Sequence, residues 1–517
     1  MQKYPIGIQN FSELRTSNYL YIDKTQQIHH LLNQGKYYFL SRPRRFGKSL
    51  LISILEAIFL GKKELFEGLW IAPKEHNKID WEKRPVIRLD FGKADFKTIG
   101  LEASIHLKLD KIASQYGLQL EQKDVANKFE ELIVKLSQEK KVAILIDEYD
   151  KPIIEYLDAT ELEQAQENRA ILKQFYSVIK GLDAYIHFFF LTGVSKFSKV
   201  SIFSDLNNLD DLTMTPLGNS LLGYTQAELE HYFSEEIDQL ADQESVARNE
   251  ILTKIQQWYN GYSWDWASNE TVYNPFSILC LMRHRRFDNF WFETGTPTFL
   301  LKLLRDKQLF EIDKVEVDAV NIKSYQIENL DIYTVLFQTG YLTIAHRPNP
   351  FIYELKYPNQ EVKTSFEQYL LNYYAEQNHT SSLCYRIAKA FRQGDLEDVQ
   401  EFFQTLLANI PYDLFEAKQE KYYQAIFYLA LKLVGYHIEA EVKTNRGRID
   451  AVVQTEDTIY IIEFKVNQSA EEAIQQIYDR KYYEKYQNLG KKIGLIGMNC
   501  YDKTIKEWLV EWLEQNQ

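Results

Sequence analysis

"FLSRPRRFGKSLLISIL", residues 39–55, ends like a phosphate-binding loop and begins unlike one. The usual spelling is G-x-x-x-x-G-K-[ST]. Here Arg42 stands at the first glycine, and Gly47-Lys48-Ser49 complete the pattern. The closing tripeptide alone is cheap, turning up by chance about once in four chains of this length, so its setting decides. "YYFLS" (37–41) reads as a buried strand and "SLLISILEAIFLG" (49–61) as an apolar helix ending at a glycine. Strand, loop and helix start in that order aim backbone amides and the helix dipole at an anion. Lys48 is then expected to reach the β- and γ-phosphates of a nucleotide, and Ser49 to ligate magnesium. The amide cradle near Gly47 does not require a glycine at the first position. Pro43 stiffens the turn, and Arg42, Arg44 and Arg45 are expected to add positive charge beside the anion. With Phe46 and Leu50 they complete a nucleotide-binding stretch from Arg42 to Leu50.

The partner of such a loop stands about a hundred residues downstream in "KVAILIDEYDKP" (141–152). An apolar strand that ends in Asp147-Glu148 puts two carboxylates at the carboxyl edge of a sheet. Asp147 is expected to hold the magnesium and Glu148 to polarise the attacking water. "PVIRLDF" (85–91) and "AYIHFFFLTGVSKFS" (184–198) supply two further apolar strands, with helical patterns between. Four continuous apolar strands separated by helices predict a parallel sheet covered on both faces.

From about residue 225 the pattern turns to helices and aromatic loops. Thr225 is placed to N-cap "QAELEHYFSEEIDQL", "WYNGYSWDW" (258–266) reads as a packed corner or a recognition surface, and a short hairpin is expected around "TGYLTIAHRPNPFIYELKYP". The C-terminal stretch reads helix, strand, strand, helix, strand, a smaller α/β domain of its own. The 517 residues exceed one ordinary core. The formal charge of −13 excludes a body coated in basic surface and confines nucleic-acid binding to a local patch. Cys280, Cys384 and Cys500 are too far apart for a C-x-x-C site and read as reduced thiols. There is no apolar h-region at the N-terminus and no run of membrane length, so a cytoplasmic protein without a membrane partner is expected.

"RPRRFGKS", "LIDEYDKP", "LTGVSKFSKVSIFSDLNNL" and "WYNGYSWDWASNETVYNPFSIL", preceded by "PIGIQNFSELRTSNYLYIDKT", together resemble the AAA-ATPase-like family. Members of that family often carry a PD-(D/E)XK nuclease-like domain at the C-terminus, and arginine is common at the first position of their loop. The resemblance implies a sensor residue at the end of the fourth strand, for which Thr192 and Ser195 both fit. Lys196 and Lys199 are the candidates for the role of an arginine finger.

In the C-terminal stretch, "GRIDAVVQT" (447–455) and "TIYIIEFKV" (458–466) carry a second constellation. Residues i and i+2 of a strand share a face, so Glu463 and Lys465 project together while Ile462 and Phe464 go to the core. If the preceding strand is antiparallel, Asp450 approaches the same face. Two carboxylates and a lysine converging there suit Mg²⁺, with Mn²⁺ an alternative: the acids bind the metal and the lysine orients water beside a phosphate. Glu441 is a further acid nearby. "RGRIDAVV", "YIIEFKV" and "SAEEAIQQI" resemble the nuclease-like domain, and that resemblance places Gln476 near the metal site. Arg446, Arg448, Arg480, Lys481, Lys485, Lys491 and Lys492, interleaved with Tyr482, Tyr483 and Tyr486, form either a nucleic-acid patch or a solvated helix face.

The expected architecture is α/β: a P-loop NTPase parallel sheet with helical lid and middle region, followed by a smaller restriction-endonuclease-like domain. The divisions are 1–224 for the ATPase core with its N-terminal segment, 225–300 for the lid, 301–400 for a helical connection and 401–517 for the nuclease-like domain. The expected activity is an ATP-dependent or ATP-regulated nuclease using ATP and Mg²⁺ and acting on nucleic acid, DNA before RNA. A homo-oligomer is compatible with this. The rival expectation is an ATP-driven switch whose C-terminal domain binds without cutting.

Overall fold

A computed structural model describes residues 3–72, 79–158, 160–196, 208–267, 270–291, 298–307, 309–310, 312–323, 330–375, 380–408, 419–435, 439–444 and 449–513. The chain forms two compact units, Met1–Gly295 with Asp313–Val362, and Thr296–Ile312 with Lys363–Gln517.

The first unit is built on strands β1 (Tyr37–Ser41), β2 (Val86–Asp90), β3 (Val142–Asp147), β4 (Ile186–Gly193) and β5 (Asp210–Asp211). Their order is β2-β3-β4-β1-β5, and all neighbours run parallel. β1 and β3 are buried at every position, as strands covered on both faces must be. The helix Lys48–Phe59 lays Leu51, Ile52, Leu55 and Ile58 against Tyr38 and Leu40 of β1, Leu145 of β3 and Phe190 of β4. Each such side chain contributes about 1.5–3 kcal/mol on leaving water. β5 is two acidic residues without an apolar signal, and it pairs with Tyr38 and Phe39 of β1.

Beyond the sheet, Thr225 N-caps Gln226–Tyr232 in a reciprocal capping box with Glu228. Leu229, Phe233, Ile237, Ile255 and Ile278 then form a second core that also takes Leu20 and Ile22 of the N-terminal segment. The expected hairpin is present as β7 (Thr343–Asn349) and β8 (Ile352–Lys356), joined by β6 (Val315–Asp318) in a sheet of order β6-β8-β7. The stretch anticipated as a lid, to Gly295, and this hairpin from the anticipated connection both belong to the first unit.

The second unit carries β9 (Glu439–Thr444), β10 (Ile449–Gln454), β11 (Thr458–Val466), β12 (Lys492–Tyr501) and β13 (Thr504–Trp512), in the order β13-β12-β11-β10-β9. Only β11 and β12 are parallel; the other neighbours are antiparallel. A parallel pair needs a crossover, and the helix Ala470–Asp479 supplies it, packing Ile474 and Ile477 on Ile459, Ile461, Ile493 and Leu495. Cys280, Cys384 and Cys500 are buried and form no disulfide among the described residues, and burial pushes the Cys384 thiol up to about 12. Among the described residues no helix is long and apolar enough to cross a membrane.

Candidate functional site

The loop between β1 and its helix gets its shape from two residues in the left-handed region, Arg45 at φ 68° and Gly47 at φ 93°. Gly47 is the helix N-cap, and its missing Cβ makes that conformation inexpensive. Lys48 is buried, and its Nζ donates to the carbonyls of Arg42 (2.8 Å) and Pro43 (3.0 Å). Burial lowers its pKa, opposed by Asp147, Asp150 and Glu148. The ammonium therefore rests on the loop's own carbonyls, within the field of three acids.

Those acids come from the end of β3. Asp147 is buried, and burial raises its pKa while a hydrogen bond from Ser49 and the charge of Lys48 oppose the rise. Its register partner on β2 is Asp90. Glu148 sits at φ 51°, a costly conformation for a residue with a Cβ. Its carboxylate lies 3.7 Å from Lys151 Nζ and against Gly92, where any side chain would collide with it. Asp150 is buried and its Oδ2 accepts from Val194 N (3.0 Å), Ser195 N (2.6 Å) and Ser195 Oγ (2.7 Å). Burial pushes its pKa up to about 6, with the Ser195 bonds opposing. The turn after β3 is thereby tied to the end of β4.

A cleft of about 530 Å³ opens over these groups. Its polar lining includes Arg44, Arg45, Lys48, Ser49, Glu148, Asp150 and Lys151; its apolar lining includes Pro5, Ile6, Ile8, Tyr224, Pro275, Phe276 and Leu279. Gly47 and Leu50 also line it. The donor set suits a nucleotide: amides, a lysine and two arginines for phosphates, a hydroxyl bonded to a carboxylate for Mg²⁺, and an apolar wall for a base.

Three members of the loop face elsewhere, which corrects the expectation that Arg42 adds charge beside the anion. Arg42 is fully buried, with Nη1 donating to Ser41 O (2.8 Å) and Thr213 O (2.9 Å) and the guanidinium 4.1 Å from the Trp264 ring centre. Burial pushes its pKa down to about 9, opposed by Asp211. Pro43 packs on Gly340. Phe46 is buried edge-on against Tyr262 and Trp264, at 4.9 and 5.2 Å between ring centres. "WYNGYSWDW" is thus largely a packed corner behind the loop, although Trp266 is half exposed.

The two sensor candidates are both engaged within the protein: Thr192 Oγ1 donates to Leu40 O at 2.7 Å inside the sheet, and Ser195 Oγ donates to Asp150 just beyond the strand ends. Lys196 is buried in an ion pair with Asp211, and Lys199 lies outside the described residues.

In the second unit the antiparallel register sets Asp450 directly opposite Glu463. Glu441 is opposite Val452, and Lys443 opposite Asp450. Glu463 is fully buried and Lys465 nearly so, with Lys465 Nζ 3.3 Å from Glu463 Oε1. Gln476 bridges them, its Nε2 donating to Glu463 Oε1 and its Oε1 accepting from Lys465 Nζ. Beside them lies a cavity of about 440 Å³ lined by Lys465, Gln468, Glu472, Gln475, Gln476, Asp479 and Arg480. Among the described residues no three His, Cys, Asp or Glu side chains converge. One carboxylate held by a lysine and an amide, with a second acid at the facing register position, is chemically a donor set for a hard divalent cation.

Of the surrounding basic residues, Arg480 lines that cavity, while Lys491 Nζ is bound to Thr455 O at 2.7 Å and Lys481 to Glu484 at 3.2 Å. Tyr486 belongs to the core, and Tyr482 and Tyr483 pack partly against it. Arg446 and Arg448 lie outside the described residues.

Residues 5–203 match the family described as "Predicted AAA-ATPase" and residues 418–510 the "PD-(D/E)XK nuclease superfamily". The chain is also similar to an Azotobacter chroococcum mcd 1 protein named "Uncharacterized protein in vnfD 5'region", 38% identical over 517 residues and covering 96% of each chain. The chain belongs to the AAA-ATPase-like family. No solved structure matches it.

Two features of this AAA-ATPase-like chain were missed by reading the sequence. Asp150 shares the motif "IDEYD" with Asp147 and Glu148, but nothing local marks it as the acid that ties β3 to β4. Pro5, Ile6 and Ile8 belong to the N-terminal segment that resembles the family, yet only the folded chain shows that they line the cleft beside Lys48 and Ser49.

Proposed function

We propose that the chain is a metal-dependent nuclease controlled by ATP. The observation that carries this reading is the presence, in one chain, of a cleft lined by Lys48, Ser49 and Glu148, with buried Asp147 bonded to Ser49, and of a Glu463–Lys465–Gln476 cluster with Asp450 in register.

In the first unit Lys48, kept on the carbonyls of Arg42 and Pro43 by two of its three N–H donors, would turn the third to the phosphates, with Arg44 and Arg45 adding charge at the cleft wall. Ser49 and Asp147 would hold Mg²⁺, which when bound neutralises charge on the phosphates. Glu148, at the cleft wall, would orient the attacking water. Pro5, Ile6, Ile8 and Tyr224 would receive the base against an apolar wall.

In the second unit Asp450 and Glu463 would hold Mg²⁺ or Mn²⁺, which supplies Lewis-acid polarisation of a phosphodiester. Lys465 would position the attacking water or the phosphate, and Gln476 would keep the lysine and Glu463 aligned. Arg480 would contact the phosphate backbone of a nucleic acid, for which DNA is proposed before RNA.

Purified protein incubated with double- and single-stranded DNA and with RNA, in Mg²⁺ or Mn²⁺, with ATP, with a non-hydrolysable analogue and without nucleotide, tests this. Cleavage that changes with the nucleotide supports it. No cleavage under any of these conditions refutes the nuclease and leaves a nucleotide-dependent binding protein; cleavage indifferent to nucleotide refutes the control.

A further inference from the structure

The residue that breaks the usual spelling of the loop is fully buried and carries its charge into the interior. Arg42 reaches behind the loop, with Nη1 on the Ser41 and Thr213 carbonyls and the guanidinium over Trp264. Its Nε and Nη2 have no hydrogen-bond partner among the described residues. Such burial is costly, and an apolar side chain of similar bulk would fill the same space at less cost. The guanidinium adds direction, because its planar face and forked donors fix one orientation. The main chain of the same residue has two further bonds: its N–H donates to Gly193 O at 3.1 Å, prolonging the β1–β4 pairing, and its carbonyl receives Lys48 Nζ.

We infer that Arg42 is a positioning residue for the nucleotide, clamping the loop from behind against Trp264 so that the carbonyls of Arg42 and Pro43 hold the Lys48 ammonium in place for the phosphates. A loop with glycine at this position has no side chain with which to do so. Within this loop only Arg45 and Gly47 have positive φ, so position 42 has no conformational need of glycine. Trp264 is a firm backstop: its N–H donates to Asn219 Oδ1 at 3.0 Å, and its ring stacks on Tyr262 at 5.8 Å between centres. Its place in the ATP site is behind the loop.

This inference rests on the reading of the cleft as an ATP site, and the experiment separates the two. Equilibrium binding of a fluorescent ATP analogue is measured for the wild type, Lys48→Ala, Arg42→Gly, Trp264→Leu and the Arg42→Gly/Trp264→Leu double variant, with thermal melts in parallel. A wild type that does not bind removes the ATP reading itself. Given wild-type binding, Arg42→Gly is expected to lose at least tenfold in affinity, although it completes the conventional motif. Trp264→Leu is expected to lose affinity in the same direction, and the double variant to be no worse than Arg42→Gly, because both act through one link. Wild-type or tighter binding by Arg42→Gly, a lowered melting temperature with unchanged affinity, or additive losses in the double variant would each overturn the inference. Should Arg42→Gly fail to fold, Arg42→Lys decides: it keeps the charge but loses the planar fork, and is expected to bind several-fold more weakly, wild-type affinity being the refuting result.

Discussion

Replacing Glu361 by glutamine should stabilise the first unit at alkaline pH and leave it unchanged in mild acid. The Glu361 carboxyl is fully buried and accepts from Trp291 N at 2.7 Å and Ser277 Oγ at 2.8 Å. Burial pushes its pKa up from 4.5 to about 8; the amides of Trp291 and Phe290 and the Ser277 hydroxyl oppose the rise, and Asp288 adds to it. The folded protein thus keeps this proton until about pH 8, whereas the unfolded chain releases it near pH 4.5. Below the lower value both states are protonated and the full stability is present. Between the two values the unfolded state binds fewer protons, so stability falls as pH rises, and above pH 8 the loss is complete. At about 1.4 kcal/mol per pH unit, the interval sets an upper bound of about 5 kcal/mol. Glutamine has no proton to lose and can still bond Trp291 and Ser277. The assay is urea unfolding followed by tryptophan fluorescence at pH 5, 7 and 9, compared by midpoints because a two-unit chain does not give a single unfolding free energy. The midpoint difference between variant and wild type should grow from pH 5 to pH 9, since titrations common to both cancel. A difference that stays constant over that range refutes the reasoning. The effect bears on the nucleotide loop, because Trp291 also donates its indole Nε1 to the Arg44 carbonyl at 3.0 Å.

Lys48→Ala should weaken ATP binding at least a hundredfold by titration, while Glu148→Gln should retain ATP and turn it over about 10²–10³-fold more slowly in a phosphate-release assay. Lys465→Ala and Gln476→Ala should each lower nucleic-acid cleavage, the first by about 10²-fold or more, with substrate binding retained in a mobility-shift assay. Asp150→Ala leaves the buried amide and hydroxyl of Ser195 and the partly buried amide of Val194 without their acceptor. At about 1–3 kcal/mol for each stranded group, the melting transition of the first unit should fall by several degrees in calorimetry.

The four long strands of the first sheet were legible because a parallel strand covered on both faces must be apolar throughout, and Phe188 to Leu191 or Val142 to Ile146 have no other reading. β5 was not, since Asp210-Asp211 is a strand only because β1 offers it a free edge. β9 and β13 escaped for a related reason: "EAEVKT" and "TIKEWLVEW" mix charge with apolar residues, as edge strands do. The alternation of Glu463 and Lys465 around Phe464 could be read directly, and the facing position of Asp450 followed once the pairing was antiparallel. The direction of Arg42 could not be read, because it depends on Trp264 and Thr213, brought behind the loop by the packing of distant segments. The resting place of Lys48 on two carbonyls is likewise a property of the folded loop, invisible in the motif.

The burial of all three cysteines has a practical consequence. Cys384 and Cys500 are thiols that burial holds in the neutral form, and neutral, inaccessible sulfur reacts slowly with maleimides. A single cysteine introduced at an exposed position of either unit, Leu107 in the first or Tyr385 in the second, would therefore take up a fluorophore or spin label selectively in the otherwise native chain. A pair of such labels, one per unit, would report whether the two move with respect to one another when nucleotide is added.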